Sequence, residues 1–421
     1  MPPMRRLLPF LTYLFVVVGL VADGSHKPAG AANQVTTFTT AGIGGPTGIA
    51  AGPDGNLWFV SHTGDRIGRI TPAGAITLYS HPTVDGPHDI TPGPDGNLWF
   101  TSQANDRVGR ITPAGTITTW PHAGFDRPDG IAAGPDGNLW LTNRQGDTVA
   151  RVTTAGGITV FSDPEDEIDT PGDIVAGPDG NLWFTSFSTD RVARLATNGT
   201  ITTFTGSGLN GPAGITVGPD GALWVASDYA DQVVRMTTAG VVTNGFSNPV
   251  LDGPWDLTTG PEGHLWITSQ TNDRIVRLSP TGQFAGFTNP NIFTPGEIAV
   301  GPDQNVWFTS QSSGRIGRVS TPKCEGIVAT VLRGPGGYGT PTAGADVIVG
   351  TPGNDVIDAG GGNDGICGLQ GADTLRGQAG GDNLTGGRGA DRLQGGTGLD
   401  ECFGGPGTDT ATGCEETYFV P

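Results

Sequence analysis

Asp346, Asp355, Asp364, Asp373, Asp382, Asp391, Asp400 and Asp409 recur every nine residues without a slip. Carboxylates at a fixed interval suit the binding of a hard divalent cation by oxygen. Ca2+ takes about six to eight oxygens at about 2.3–2.6 Å and accepts carboxylates and loop carbonyls alike. Two residues before each aspartate stands a glycine, from Gly344 to Gly407, which lets the loop turn its carbonyls toward an ion. Two residues after come Ile348, Ile357, Ile366, Leu375, Leu384, Leu393, Cys402 and Ala411, too little core for one repeat to fold alone. Between Gly344 and Glu416 there are 12 acidic and 3 basic residues, a local charge of -9. Stacked in register, these aspartates repel one another unless a counterion enters.

A second chemically capable group lies far upstream. His62, His81, His88 and His122 share one stretch of chain with Asp85, Asp89, Asp126 and Asp129. An imidazole beside a carboxylate can act as a general base or a metal ligand, which singles out His88 with Asp89 or Asp129. The same spacing equally fits exposed loop histidines, because proximity in sequence does not establish convergence.

The elements that must position these residues come from a longer repeat. G-P-D-G begins at Gly52, Gly93, Gly134, Gly177 and Gly218, G-P-E-G at Gly260 and G-P-D-Q at Gly301, in steps of 41, 41, 43, 41, 42 and 41 residues. Six residues beyond each glycine is a tryptophan: Trp58, Trp99, Trp140, Trp183, Trp224, Trp266 and Trp307. A period in the low forties with four short strands per unit predicts a propeller, here with seven blades. The start of each first strand and the end of each second strand open on one face. That face is expected to receive His62, His81, His88 and His122, with Arg144, Phe187 and Trp255 as candidate ligand contacts or ordinary rim residues. The seventh unit stops near Val319 without a fourth strand, and Val35–Thr39 resembles the missing one. It is expected to complete that blade and remove an exposed edge. The recurrent pairs Asp65-Arg66, Asp106-Arg107, Asp190-Arg191 and Asp273-Arg274 read as turn and inter-blade bonds because they repeat.

The run P-x-G-I-x-x-G-P-D-G-N-L-W-F-T followed by R-I-G-R-I-T resembles the virginiamycin B lyase (streptogramin lyase) family over residues 34–320. The resemblance implies a seven-bladed propeller, a metal-dependent elimination that linearises a cyclic depsipeptide, and a divalent ion such as Mg2+ at the propeller face. The family's last blade carries E-P-H on the inner strand and a glutamate closing the next strand. Here the histidine falls on Gly296 and the glutamate on Ser310, while the preceding blade's P-H falls on Pro254-Trp255. Neither base nor metal ligand transfers, and losing both predicts loss of that elimination.

The nine-residue unit reads G-G-x-G-x-D-x-U-x and resembles the RTX (hemolysin-type) calcium-binding repeat over residues 344–416. The resemblance implies a small parallel β-roll in which two repeats make one turn and alternate repeats stack. Pro341-Thr342 replaces the leading glycines of the first repeat, and Leu369 and Gln378 replace the second glycine later, so the outer sites are expected to be weaker. Cys324, Cys367, Cys402 and Cys414 lie outside the propeller. An even count in an exported chain suggests two disulfides with three possible pairings. Cys402–Cys414 with Cys324–Cys367 would cap the roll and pin the linker; free thiols remain the alternative, and no C-x-x-C spacing favours zinc.

Met1–Leu8 carries Arg5 and Arg6, and Phe10–Ala22 is almost wholly apolar, the layout of a secretory signal ending near Ala29-Gly30-Ala31 or at Ala22. That apolar run is short for a membrane span. The expected organisation is all-β: signal 1–31, propeller 34–320, linker 321–343, roll 344–416 and tail 417–421. A net charge of -19 across 421 residues, 41 acidic against 22 basic, argues against nucleic acid as a main partner. With Lys27 and Lys323 the only lysines, Schiff-base chemistry and a P-loop are disfavoured. The chain therefore reads as a secreted or cell-surface monomer that binds calcium and presents a propeller face to a small molecule, peptide or glycan. The alternative is a diverged carbon-oxygen lyase using His88, Asp89 and Asp129.

Overall fold

The computed structural model describes residues 35–261, 263–280, 282–321, 323–324, 327–332 and 340–418. The signal expected over 1–31 lies outside the described residues, as do part of the expected linker (333–339) and 419–421.

Seven four-stranded antiparallel sheets form the propeller. In the second blade the strands are Pro87–Pro92, Leu98–Ser102, Arg107–Ile111 and Ile117–Pro121. Every second strand is buried along its whole length, so its L-W-F-type run has no polar face to alternate with. Each buried tryptophan stacks on an aromatic from the fourth strand of its blade, as in Trp99–Trp120 at 5.1 Å and Trp183–Phe204 at 5.3 Å. In most blades an arginine from the third strand lies against both rings, as Arg110 does at 5.6 and 5.4 Å.

The seventh blade takes its fourth strand from the other end of the domain. Val35–Phe38 pairs antiparallel with Arg315–Val319, and Phe38 supplies the stacking partner of Trp307 at 5.4 Å. The edge that would otherwise stand open is thereby covered.

The repeated aspartates ahead of the third strands hold blades to one another. Asp65, Asp106, Asp190 and Asp273 adopt φ of 50–56°, a left-handed conformation that aspartate tolerates. Their carboxylates accept the N–H of Gly86, Arg127, Gly211 and Thr294 in the loop entering the next blade.

The C-terminal repeats form two parallel sheets, one of six strands and one of four. Pairing runs at an offset of 18 residues, Ile366 beside Leu384 and Leu375 beside Leu393, so alternate repeats stack. Ile348, Ile357, Ile366, Leu375, Leu384 and Leu393 fill the space between the sheets. Cys402 is disulfide-bonded to Cys414. Cys367 is also disulfide-bonded; the side chain of its expected partner, Cys324, lies outside the described residues.

Candidate functional site

Each inner propeller strand opens with proline, and its pairing is broken by a bulge before the fourth residue, as between Pro87 and Ile90. The bulge takes peptide groups out of the ladder and aims the second and third side chains at the central channel. The second residues of neighbouring blades meet there. His88 Nδ1 lies 2.7 Å from Asp129 Oδ1. Asp129 is 3% exposed and also accepts Gln103 Nε2 at 2.7 Å and an Arg144 guanidinium nitrogen at 2.9 Å. Burial alone would raise the Asp129 carboxyl, but charge and hydrogen bonding from His88 and Arg144 outweigh it and hold it down to about 2. Burial likewise disfavours the His88 cation, yet Asp129 more than compensates and His88 is raised above its ordinary value. Asp129 therefore favours the protonated form of the His88 imidazole. An imidazole so placed is better suited to donating a hydrogen bond than to acting as a base.

A cavity opens beside this pair, and Phe187 and Trp255 form part of its wall. Their rings are 6.5 Å apart, and Tyr229 packs on Phe187 at 5.1 Å. His62 stands edge-on to His88 at 5.9 Å; its own pKa is lowered by burial and by the His88 charge. The fold thus gathers His62, His88, Asp129, Arg144, Phe187 and Trp255 at one mouth. His81 is turned to Thr83 in its own loop, and His122 packs on Phe125.

Asp89 is part of a different structure, one the sequence reading missed. It accepts the N–H of Ile90 at 2.5 Å and of Ile131 in the next blade at 2.7 Å. Asp173 does the same with Ile174 and Ile215, and Asp256 with Leu257 and Ile298. Glu297 reaches Ile49 at 3.2 Å and hydrogen-bonds Asp89. The third inner residue therefore runs Gly48, Asp89, Gly130, Asp173, Gly214, Asp256, Glu297 around the ring. The glycines make the room: a Cβ on Gly48 would lie 2.7 Å from Asp89 Cα, and one on Gly214 would lie 2.7 Å from Asp256 Cα. Asp173, Asp256 and Glu297 keep some surface open to the channel, but desolvation deep in the ring still dominates. It pushes Asp256 up to about 7 and raises Asp89, Asp173 and Glu297 as well.

The positions that would carry a lyase metal do not fit one. A Cβ on Gly296 would lie 2.7 Å from Thr309 Oγ1 and 2.8 Å from Gln311 Nε2, so those side chains fill the place of an imidazole. Ser310 is spent on the backbone of Phe293, accepting its N–H at 2.9 Å and donating to its carbonyl at 3.1 Å. Among the described residues no three His, Cys, Asp or Glu side chains gather in a geometry that could hold a metal.

The roll poses the opposite question, since carbonyls can complete a calcium shell that side chains begin. From Asp364 to Asp409, one oxygen of each aspartate is used by the turn before it. Asp364 Oδ1 accepts the N–H of Asp346, Asp373 that of Asp355, and the series continues to Asp409, all at 2.8–2.9 Å. The other oxygen is not used: Oδ2 of Asp364, Asp373, Asp382, Asp391, Asp400 and Asp409 is buried with no hydrogen-bond partner. Exposure of these six side chains is 2% or less. Other acceptors converge on the same spots: a Cβ on Gly386 would sit 2.6 Å from Asp391 Oδ2 and 2.7 Å from the Gly404 carbonyl. Buried oxygens facing carbonyls, with no donor between, are costly without a cation and fit calcium. Burial and the neighbouring aspartates push the Asp373 carboxyl up to about 6.

Similarity to known proteins follows the same division. The virginiamycin B lyase family matches residues 24–207 and 205–340, and the RTX calcium-binding nonapeptide repeat matches residues 340–375 and 376–411. A solved streptogramin B lyase is 27% identical, covering 68% of this chain and 97% of its own, with a TM-score of 0.64. A catalytically inactive histidine-to-alanine variant of virginiamycin B lyase from Staphylococcus aureus, solved with quinupristin, is 30% identical; it covers 69% of this chain and 100% of its own, with a TM-score of 0.64. The selenomethionine form of the Staphylococcus aureus enzyme is 31% identical over the same shares, with a TM-score of 0.63. Comparison with curated proteins gives no match.

Proposed function

This chain belongs to the virginiamycin B lyase family, and from that premise we infer a secreted protein whose RTX roll binds calcium and whose propeller binds a ligand at the His88 face. The roll would load calcium after export, where the ion is abundant, and so fold outside the cell. The observation that carries the calcium reading is the set of six buried Asp Oδ2 atoms without a donor. In the propeller, the residues at the mouth can bind and orient. Arg144 and His88 offer N–H donors, while Phe187 and Trp255 offer apolar and π surface beside them.

One observation favours a second reading, a diverged carbon-oxygen lyase: His88 and Asp129 form an ordered acid–base pair at 2.7 Å. With Gly296 and Ser310 in place of the family's histidine and glutamate, we expect binding without turnover. Incubation of the full-length protein with a streptogramin B antibiotic, followed by mass spectrometry of ring opening, separates the two. An unchanged antibiotic supports the binding reading; linear product that disappears in His88→Ala establishes the lyase. Amino-terminal sequencing of protein recovered from the medium checks export, and an intact Met1 there contradicts the processed form.

A further inference from the structure

The eight aspartates of the roll are not equivalent. In the first two, Asp346 and Asp355, the second carboxylate oxygen is not free. Thr342 donates its backbone N–H at 2.6 Å and its hydroxyl at 2.9 Å to Asp346 Oδ2, and Thr351 does the same to Asp355 Oδ2 at 2.6 and 2.9 Å. Both threonines stand four residues before their aspartate. The residues at that place in the later repeats are Gly360, Leu369, Gln378, Gly387, Gly396 and Gly405, all with φ between 76 and 123°. Their N–H groups point elsewhere, as Gly387 N–H does to the Gly404 carbonyl and Gly396 N–H to the Gly413 carbonyl. The six aspartates that follow them are the six with an unpartnered Oδ2.

We propose that Thr342 and Thr351 close the first two repeats in place of calcium, so that ion loading begins at Asp364. The inference rests on the calcium reading of the roll and assigns which carboxylates take part. Two donor hydrogens aimed at one carboxylate oxygen put positive partial charge where a cation would have to approach, and they remove the desolvation cost that makes the other six need one. The backbone N–H cannot easily swing away. Doing so needs the left-handed conformation of the later repeats, which a β-branched residue resists. Thr351 is further held extended by Pro352. The other end of the stack is closed in a related way: Asp400 N–H, with no following aspartate to accept it, donates to Glu415 Oε2 at 2.7 Å. The roll is thus capped by its own side chains at both ends, and its interior is left to the metal.

The test counts calcium ions per chain by native mass spectrometry and isothermal titration on the full-length protein. Asp346→Asn/Asp355→Asn is expected to bind as many ions as the unmodified protein, whereas Asp373→Asn/Asp382→Asn loses ions. Thr342→Gly/Thr351→Gly, which frees both oxygens and restores the glycine backbone, is expected to gain ions, with circular dichroism verifying that the roll remains folded. Loss of ions in Asp346→Asn/Asp355→Asn, or no gain in a folded glycine variant, overturns the proposal while leaving calcium binding intact. Absence of any bound calcium in the unmodified protein removes the calcium reading itself.

Discussion

Identical carboxylates do different work here according to the donors they meet. Asp129, surrounded by Arg144, Gln103 and His88, is held in its ionised form and favours the protonated imidazole. Replacing it with asparagine leaves Arg144 and His88 without their anion and should cost about 3 kcal/mol, read as a lower denaturation midpoint. Asp256 and its ring partners meet chiefly backbone N–H groups and one another, so burial wins and holds their carboxyls above the values of the unfolded chain. For Asp256 that contribution is complete below its ordinary value of 3.8 and is lost as pH rises through about 7, and the other raised ring acids act in the same direction. The raised His88 acts in the same sense. The propeller's melting temperature should therefore fall between about pH 5 and about pH 8, and Asp256→Asn should flatten the profile. A midpoint that climbs over that range contradicts the protonated ring. The ring was legible in the second residue after each inner-strand proline, glycine alternating with acid, but isolated acids in seven repeats look like ordinary solvated turns. Only the bulged geometry reveals that they face each other.

At the level of strands, the blades were plain in the sequence because tryptophan and the G-P-D-G turn recur at nearly constant spacing. Their aromatic stacks were less so, since the partner in the fourth strand varies among Tyr79, Trp120, Phe161, Phe204, Phe246, Phe287 and Phe38. Val35–Phe38 is the element on which ring closure depends. Phe38→Ala removes the ring that covers Trp307 and touches Arg318, and should cost about 2–3 kcal/mol. Deletion of 35–39 should cost more, by exposing the edge of Arg315–Val319; an unchanged melting temperature would reject the closure. The threonine caps of the roll escaped notice for a related reason. Pro341-Thr342 reads as a departure from the glycine pattern, and only the hydrogen bonds show that the departure supplies donors.

Across the molecule, two repeat architectures solve the same problem by different means. The propeller satisfies its inward acids with backbone N–H groups and retained protons. The roll satisfies its outer repeats with threonine and Glu415 and leaves six buried oxygens that its own residues do not pair. That difference predicts two independent transitions, one responsive to calcium and one not. Differential scanning calorimetry of the full-length protein in EGTA and then in Ca2+ tests it most directly. The account predicts that chelation abolishes or sharply lowers one transition, that calcium restores it with measurable binding heat, and that the propeller transition stays in place. An equally ordered C-terminus in EGTA, with no heat on calcium titration, would contradict it.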